Sequence, residues 1–212
     1  MKRRDFLHAS LLAAATTAGI RAAYAVVATD KAVADVGAVS GDGLAITLRG
    51  ADIRELAQQM QGTVLIAGDE GYETARLVMN PSIDRKPALI AQPKNVADVQ
   101  AAVKFARAHG VLLAVKCGGH SASGQSTCDR GMMIDLHHLR GVRVDPQKRR
   151  AWVQGGTLLG EVDGECLPHG LVTPLGTVSH TGVGGLTLGG GFGRLPRKLG
   201  VAIDNLDSVD IV

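Results

Sequence analysis

The stretch from Pro87 to Gly124, PALIAQPKNVADVQAAVKFARAHGVLLAVKCGGHSASG, sets a strand, a helix, a second strand and a glycine turn end to end. Pro87–Gln92 is a short apolar run of strand length, and Asn95 is a good N-cap. A helix over Val96–Ala108 follows, with Val96, Val99, Val103 and Ala106 predicted as its buried stripe and Gly110 as its stop. Val111–Lys116 is again apolar and runs straight into Cys117-Gly118-Gly119-His120-Ser121. Two strands joined through a helix imply a layered α+β or α/β domain.

Working outward, Asp52–Met60 has Ile53, Leu56, Ala57 and Met60 on one helical face, Thr63–Ala67 reads as a strand, and Tyr72–Met79 as a helical turn closed by Asn80-Pro81. On the other side, Met132–Asp135, Val142–Asp145 and Ala151–Gln154 read as strands. Thr157–Leu167 reads as a helix with Leu158, Leu159, Val162 and Cys166 on a common face. Val26 to Gly43 shows no sustained period and is expected to be an exposed lead-in. Leu206–Val212, LDSVDIV, alternates like a strand.

Two glycine tracts stand out. In the first, Gly118 and Gly119 follow a strand directly, which lets backbone N–H groups approach an anionic ligand without a Cβ in the way. The spacing is neither GxxxxGK[ST] nor GxGxxG, so neither a Walker loop nor a Rossmann turn is present. By spacing alone, a phosphate cradle and a plain tight turn stay equally open. The second tract, Gly176–Gly193, has eight glycines in 18 residues. Each glycine weakens a helix by about 1 kcal/mol relative to alanine, so their retention points to positive φ angles or close backbone contact with a ligand. Two such tracts about 60 residues apart suggest one long ligand held twice.

The stretch 87–124, with MMIDLHHLRGVRVDP at 132–146 and TGVGGLTLGGGFGRLPRKLGVAIDNLDSVDIV at 181–212, resembles the FAD-linked oxidases of the vanillyl-alcohol oxidase and berberine bridge enzyme type. The likeness runs from about Gly68 to Val212. It implies an α+β, PCMH-type FAD-binding domain of two subdomains over 68–212, preceded by the lead-in 26–67, with FAD as cofactor and its pyrophosphate on the glycine loop after the VLLAVK strand. Carried over residue by residue, the cofactor-binding positions are Lys116, Cys117, Gly118, Gly119, His120, Ser121, Gly124, Val178, Thr181, Gly182, Gly185 and Gly191. His120 matches the histidine that such enzymes often join to the flavin 8α-methyl carbon, a role that suits a neutral, nucleophilic imidazole. Some members add a second link through a cysteine; here that position is Val178, so a single link is implied. Cys117 is read as a small loop residue and Tyr72 as structural, while His180, within the flavin tract, is read as a polar loop residue or as one that approaches the cofactor.

Family members continue for a further substrate-binding domain. The chain is therefore read as C-terminally incomplete, with no residue assigned to catalysis. Two functional expectations follow: the flavin part of an oxidoreductase acting on an alcohol, sugar or related small molecule, or a truncated flavin-binding or partly folded product with no turnover of its own.

Residues 1–25, MKRRDFLHASLLAAATTAGIRAAYA, have the basic start, apolar middle and small-x-small end of an export signal, and RRDFL at 3–7 resembles the twin-arginine type. The apolar run Ala9–Ile20 is short of the ~20 residues that span a membrane, so no membrane partner is expected after cleavage and the product is expected in the periplasm or secreted. Four of the 23 basic and one of the 20 acidic residues fall in this leader, leaving 19 of each. A neutral mature chain, with only four of the six aromatics (Tyr72, Phe105, Trp152 and Phe192; Phe6 and Tyr24 fall in the leader), gives no case for nucleic acid. Cys117, Cys128 and Cys166 lack metal-site spacing. His137 and His138, read as adjacent strand residues on opposite faces, make a poor chelating pair, so no metal is expected.

Overall fold

The computed structural model describes residues 33–212, and residues 35–212 form one compact unit. The leader lies outside the described residues. No helix among those described is long and apolar enough to cross a membrane.

The fold opens with an antiparallel hairpin, β1 (Val36–Val39) on β2 (Ala45–Leu48), turned through Gly43 at a φ of 81°. This replaces the expected lead-in over 36–43: Ala38 and Val39 are buried, and Val39 bonds to Leu112 and Arg130 on the main body. The short, non-alternating VGAV run hid the strand. Helix α1 (Gly50–Gln59) buries Ile53 and Leu56 as its period predicts, with Met60 buried just past its end, while Ala57, expected on the same face, is exposed.

A four-stranded sheet follows, made by β3 (Thr63–Leu65), β4 (Leu89–Gln92), β5 (Leu113–Lys116) and β6 (Met132–Asp135) in the order β3-β4-β6-β5. β3 is antiparallel to β4, while β4 and β5 both run parallel to β6. The two central strands are buried at every residue, which is why LIAQ and MMID are near-continuous apolar runs and not alternating ones. Helix α2 (Tyr72–Ala75) adds Tyr72 to the core, its hydroxyl donating to the Pro87 carbonyl at 2.6 Å, which fits the structural role read for it.

Helix α3 (Val96–His109) connects β4 to β5, with Asn95 accepting from the Asp98 amide as its cap and Gly110 in the left-handed region as its stop. Its buried face differs from the expected stripe. Asp98, Ala102, Phe105 and Ala106 point inward, Val99 and Val103 are half-buried, and Val96 is exposed. Asp98 sets this rotation, because its carboxylate accepts from the amides of Gln61, Gly62 and Lys94 at 2.8–2.9 Å.

A second hairpin, β7 (Val142–Asp145) on β8 (Arg150–Val153), precedes α4 (Leu159–Cys166), which buries Leu159, Val162 and Cys166. Short helices α5 (Val183–Leu188) and α6 (Pro196–Leu199) follow. The expected strand at 206–212 is not formed: these residues are irregular and exposed, and pair with no strand among the described residues. An alternating run makes a strand only where a neighbour takes its backbone groups.

Candidate FAD site

Each of the three parallel strands ends in a polar residue: Gln92 on β4, Lys116 on β5 and Asp135 on β6. All three are buried. The Asp135 carboxylate accepts from Lys116 Nζ at 3.1 Å, His137 Nδ1 at 3.1 Å and Gln92 Nε2 at 3.3 Å, and the Lys116 ammonium also donates to the Ala75 carbonyl. A buried charge needs such pairing to be tolerated. This cluster closes the carboxyl-terminal edge of the sheet, the place where open parallel sheets take ligands.

The first glycine tract leaves β5 directly above it and, with His180 from the second, lines a cleft of about 490 Å³ whose lining also includes Asp135, His137 and Arg140. Gly118 and Gly119 are glycines for different reasons. A Cβ on Gly118 would lie 2.3 Å from the Gly182 amide nitrogen, and one on Gly182 would lie 2.3 Å from the Gly118 nitrogen, so the two tracts meet backbone to backbone. Gly119 has room for a Cβ, which would meet Lys116 Cδ at 3.8 Å, but a φ of 71°, which side chains rarely adopt. The Gly119 carbonyl accepts from the Met79 amide, ending the Tyr72–Met79 segment as a loop. The amides of Gly119, His120 and Ser121 meet no acceptor among the described residues.

The second tract is pinned by α4: Leu159 N donates to the Thr181 carbonyl and Gly160 N to the Ser179 carbonyl, both at 2.9 Å, and Leu158 and Gly182 form a β-bridge. Through this contact His180 comes to His120, with ring centroids 4.5 Å apart and planes at 53°. His120 Nε2 is buried and unpartnered. Burial, then the neighbouring His180, lower the affinity of His120 for a proton, so the ring is held neutral.

Of the residues expected to bind cofactor, Lys116, Cys117, Gly118, Gly119 and His120 line the cleft. Lys116 does so with its charge already neutralised by Asp135, so it supports the loop and offers no free cation. Ser121 continues the loop, its hydroxyl accepting from the Ser126 amide. Gly182 shapes the cleft by its contact with Gly118. Thr181 anchors the second tract, Val178 is exposed on its loop, and Gly185 lies open to solvent on α5. Two positions belong to packing outside the cleft lining: Gly124 at φ 77° lies against Ile83, and Gly191 at φ 76° lies against Ala202. Cys117 is a half-buried free thiol packed against Gly184, its pKa pushed up by burial, as a small loop residue would be. Cys128 and Cys166 are buried free thiols.

His137 and His138 sit on a 3-10 turn (Leu136–His138) and not on a strand, with rings 3.6 Å apart, which corrects the opposite-faces expectation. Among the described residues no group of three or more His, Cys, Asp or Glu is placed to hold a metal ion. Asp135, His137 and Gln92 were missed from the sequence; the signal was there in LIAQ, LAVK and MMID, three apolar strands each ending in one polar residue.

The family model described as an FAD binding domain matches residues 87–212. The chain belongs to this FAD-binding domain family. An FAD-linked oxidoreductase of Dictyostelium discoideum is 38% identical over 161 residues, which is 76% of this chain and 35% of that protein. Among solved structures, 6-hydroxy-D-nicotine oxidase of Arthrobacter nicotinovorans superposes with a TM-score of 0.67 at 32% identity, covering 68% of this chain and 32% of that one. A chitooligosaccharide oxidase superposes with a TM-score of 0.66 at 31% identity, covering 72% and 33%. The chain thus spans about a third of the length of the relatives it matches. The FAD-binding domain residues present fit the cofactor at two points: unpartnered loop amides suited to phosphate oxygens, and a neutral imidazole with an orphaned buried nitrogen beside them.

Proposed function

We propose that this chain is the flavin-carrying part of an FAD-dependent oxidoreductase acting on an alcohol, sugar or related small molecule, with the flavin joined to His120. The observation that carries the reading is the buried, unpartnered His120 Nε2 next to the free amides of a glycine loop at the carboxyl end of a parallel sheet. An unsatisfied buried polar atom costs about 1–3 kcal/mol, a cost a protein keeps where a ligand relieves it. When bound, FAD supplies the two-electron chemistry that takes hydrogen from a C–H bond and passes the electrons to an acceptor.

The chain's own residues bind and orient. The amides of Gly119, His120 and Ser121 take phosphate oxygens, and the Lys116–Asp135 pair fixes the loop from below. His120 would hold the flavin through a ring nitrogen bonded to its 8α-methyl carbon, a linkage in which each partner would give up one proton and two electrons would go to dioxygen. A nicotine derivative and a chitooligosaccharide appear in the names of two similar oxidases, which favours a small polar substrate. The twin-arginine resemblance of residues 3–7 supports export after folding, consistent with a cofactor acquired in the cytoplasm.

The test is acid precipitation of the purified chain after incubation with FAD. Flavin that stays with the polypeptide, maps to the peptide holding His120 and is lost in His120→Ala with reversible FAD binding retained is the expected result. Release of all flavin into the supernatant of the unmutated protein would refute the covalent reading.

A further inference from the structure

The two glycine tracts bring together two imidazoles that lie 60 residues apart in the chain. His180 rests on a loop held at both ends, by Gly160 and Leu159 bonding to Ser179 and Thr181 and by the backbone contact of Gly182 with Gly118. Its ring packs on His120 at 4.5 Å, and both line the cleft. Of the other charged and titratable groups of that cleft, Lys116 and His137 pair with Asp135, Arg140 pairs with Glu161 at 2.6 Å, and Cys117 is a free thiol packed against Gly184. None of them is in contact with the His120 ring through a hydrogen bond, whose Nε2 has no partner.

We propose that His180 is a positioning residue for flavin attachment, holding the His120 ring in one orientation at the cleft with a nitrogen left unbonded. The inference rests on the attachment reading above, in which a His120 nitrogen bonds to the 8α-methyl carbon, each partner loses a proton, and two electrons pass through the flavin to dioxygen. Ring packing fixes the imidazole's rotation. The charge that His180 can carry has a second effect: a proton on it repels one on His120, so His120 stays neutral to lower pH than burial alone would keep it.

The experiment follows acid-stable flavin against time and pH in the full chain incubated with FAD, with reversible FAD binding measured separately. At saturating FAD, His180→Ala is expected to attach the flavin at least about tenfold more slowly, since a small misplacement of a reacting group costs orders of magnitude in rate. His180→Phe keeps a ring but no ionisable nitrogen. It is expected to attach at the unmutated rate at high pH, with the midpoint of its pH profile moved upward. Unchanged rate in His180→Ala with unchanged midpoint in His180→Phe would overturn the proposal while leaving attachment to His120 intact. Parallel loss of reversible FAD binding and attachment in His180→Ala would also overturn it, by making His180 merely structural. An unmutated chain that binds FAD and releases it wholly in acid removes the attachment reading, and the positioning role with it.

Discussion

At Gly118 the requirement for glycine comes from the protein's own second tract, since a Cβ there would lie 2.3 Å from the Gly182 nitrogen, where real Cβ contacts are never found. At Gly119 it comes from a φ of 71°. The substitutions should therefore fail differently. Gly118→Val is expected to push the tracts apart, abolishing FAD retention and lowering thermal stability. Gly119→Ala, with space for its methyl group but an unfavourable φ, is expected to cost only about 1–2 kcal/mol and to weaken FAD binding less. Fluorescence titration with FAD and thermal melts of both variants check this, and equal behaviour would contradict it. The sequence showed that glycines were needed at 118 and 119, but the partner at Gly118 depends on a tertiary contact that no local pattern carries. Lys116 shows the same limit. Its place before the loop was visible, whereas its pairing with Asp135 required the parallel register of β5 on β6. Breaking this buried pair by Lys116→Met is expected to destabilise the fold by about 3–5 kcal/mol, and Lys116→Met with Asp135→Leu to recover much of that loss, as denaturant unfolding would show.

Among the elements, α3 depends on a side chain that its hydrophobic period did not single out. The stripe Val96, Val99, Val103 and Ala106 gave the right helix and the wrong rotation, because periodicity counts apolar residues and is blind to a carboxylate with backbone partners. Burial raises the Asp98 pKa, but the amides of Lys94, Gln61 and Gly62 and the Asn95 contact outweigh it, so the net shift is downward. A carboxylate whose folded pKa is depressed gives stability that is present above the unfolded value of about 3.9 and is lost as pH falls through the folded value. Asp98→Asn is thus expected to lower stability at neutral pH by about 2–3 kcal/mol and to flatten the acid limb of the stability profile. Urea melts at several pH values measure both, and an unchanged acid limb would count against it. Strands that pair with near neighbours or carry continuous apolar runs (β3 to β8) were legible in the sequence, with ends shifted by a residue or two. The β1–β2 hairpin was not, since its four-residue strands have no clear alternation, and the alternating 206–212 run found no partner.

For the whole molecule, the sequence blocks at 87–124, 132–146 and 181–212 pointed to one cofactor, and the fold brings their chemistry together: the first supplies the amide loop and His120, the second Asp135, His137 and Arg140, and the third the Gly182 contact that closes the cleft with His180. On the proposed reading this assembled cleft holds FAD. Its most direct measurement is equilibrium binding of FAD to the purified 212-residue chain, followed by flavin fluorescence or calorimetry, with Gly118→Val as control. Saturable binding of one FAD per chain, lost in Gly118→Val, is the predicted result. A folded chain that binds no FAD, or binds it equally well with the two glycine tracts forced apart, would contradict the account.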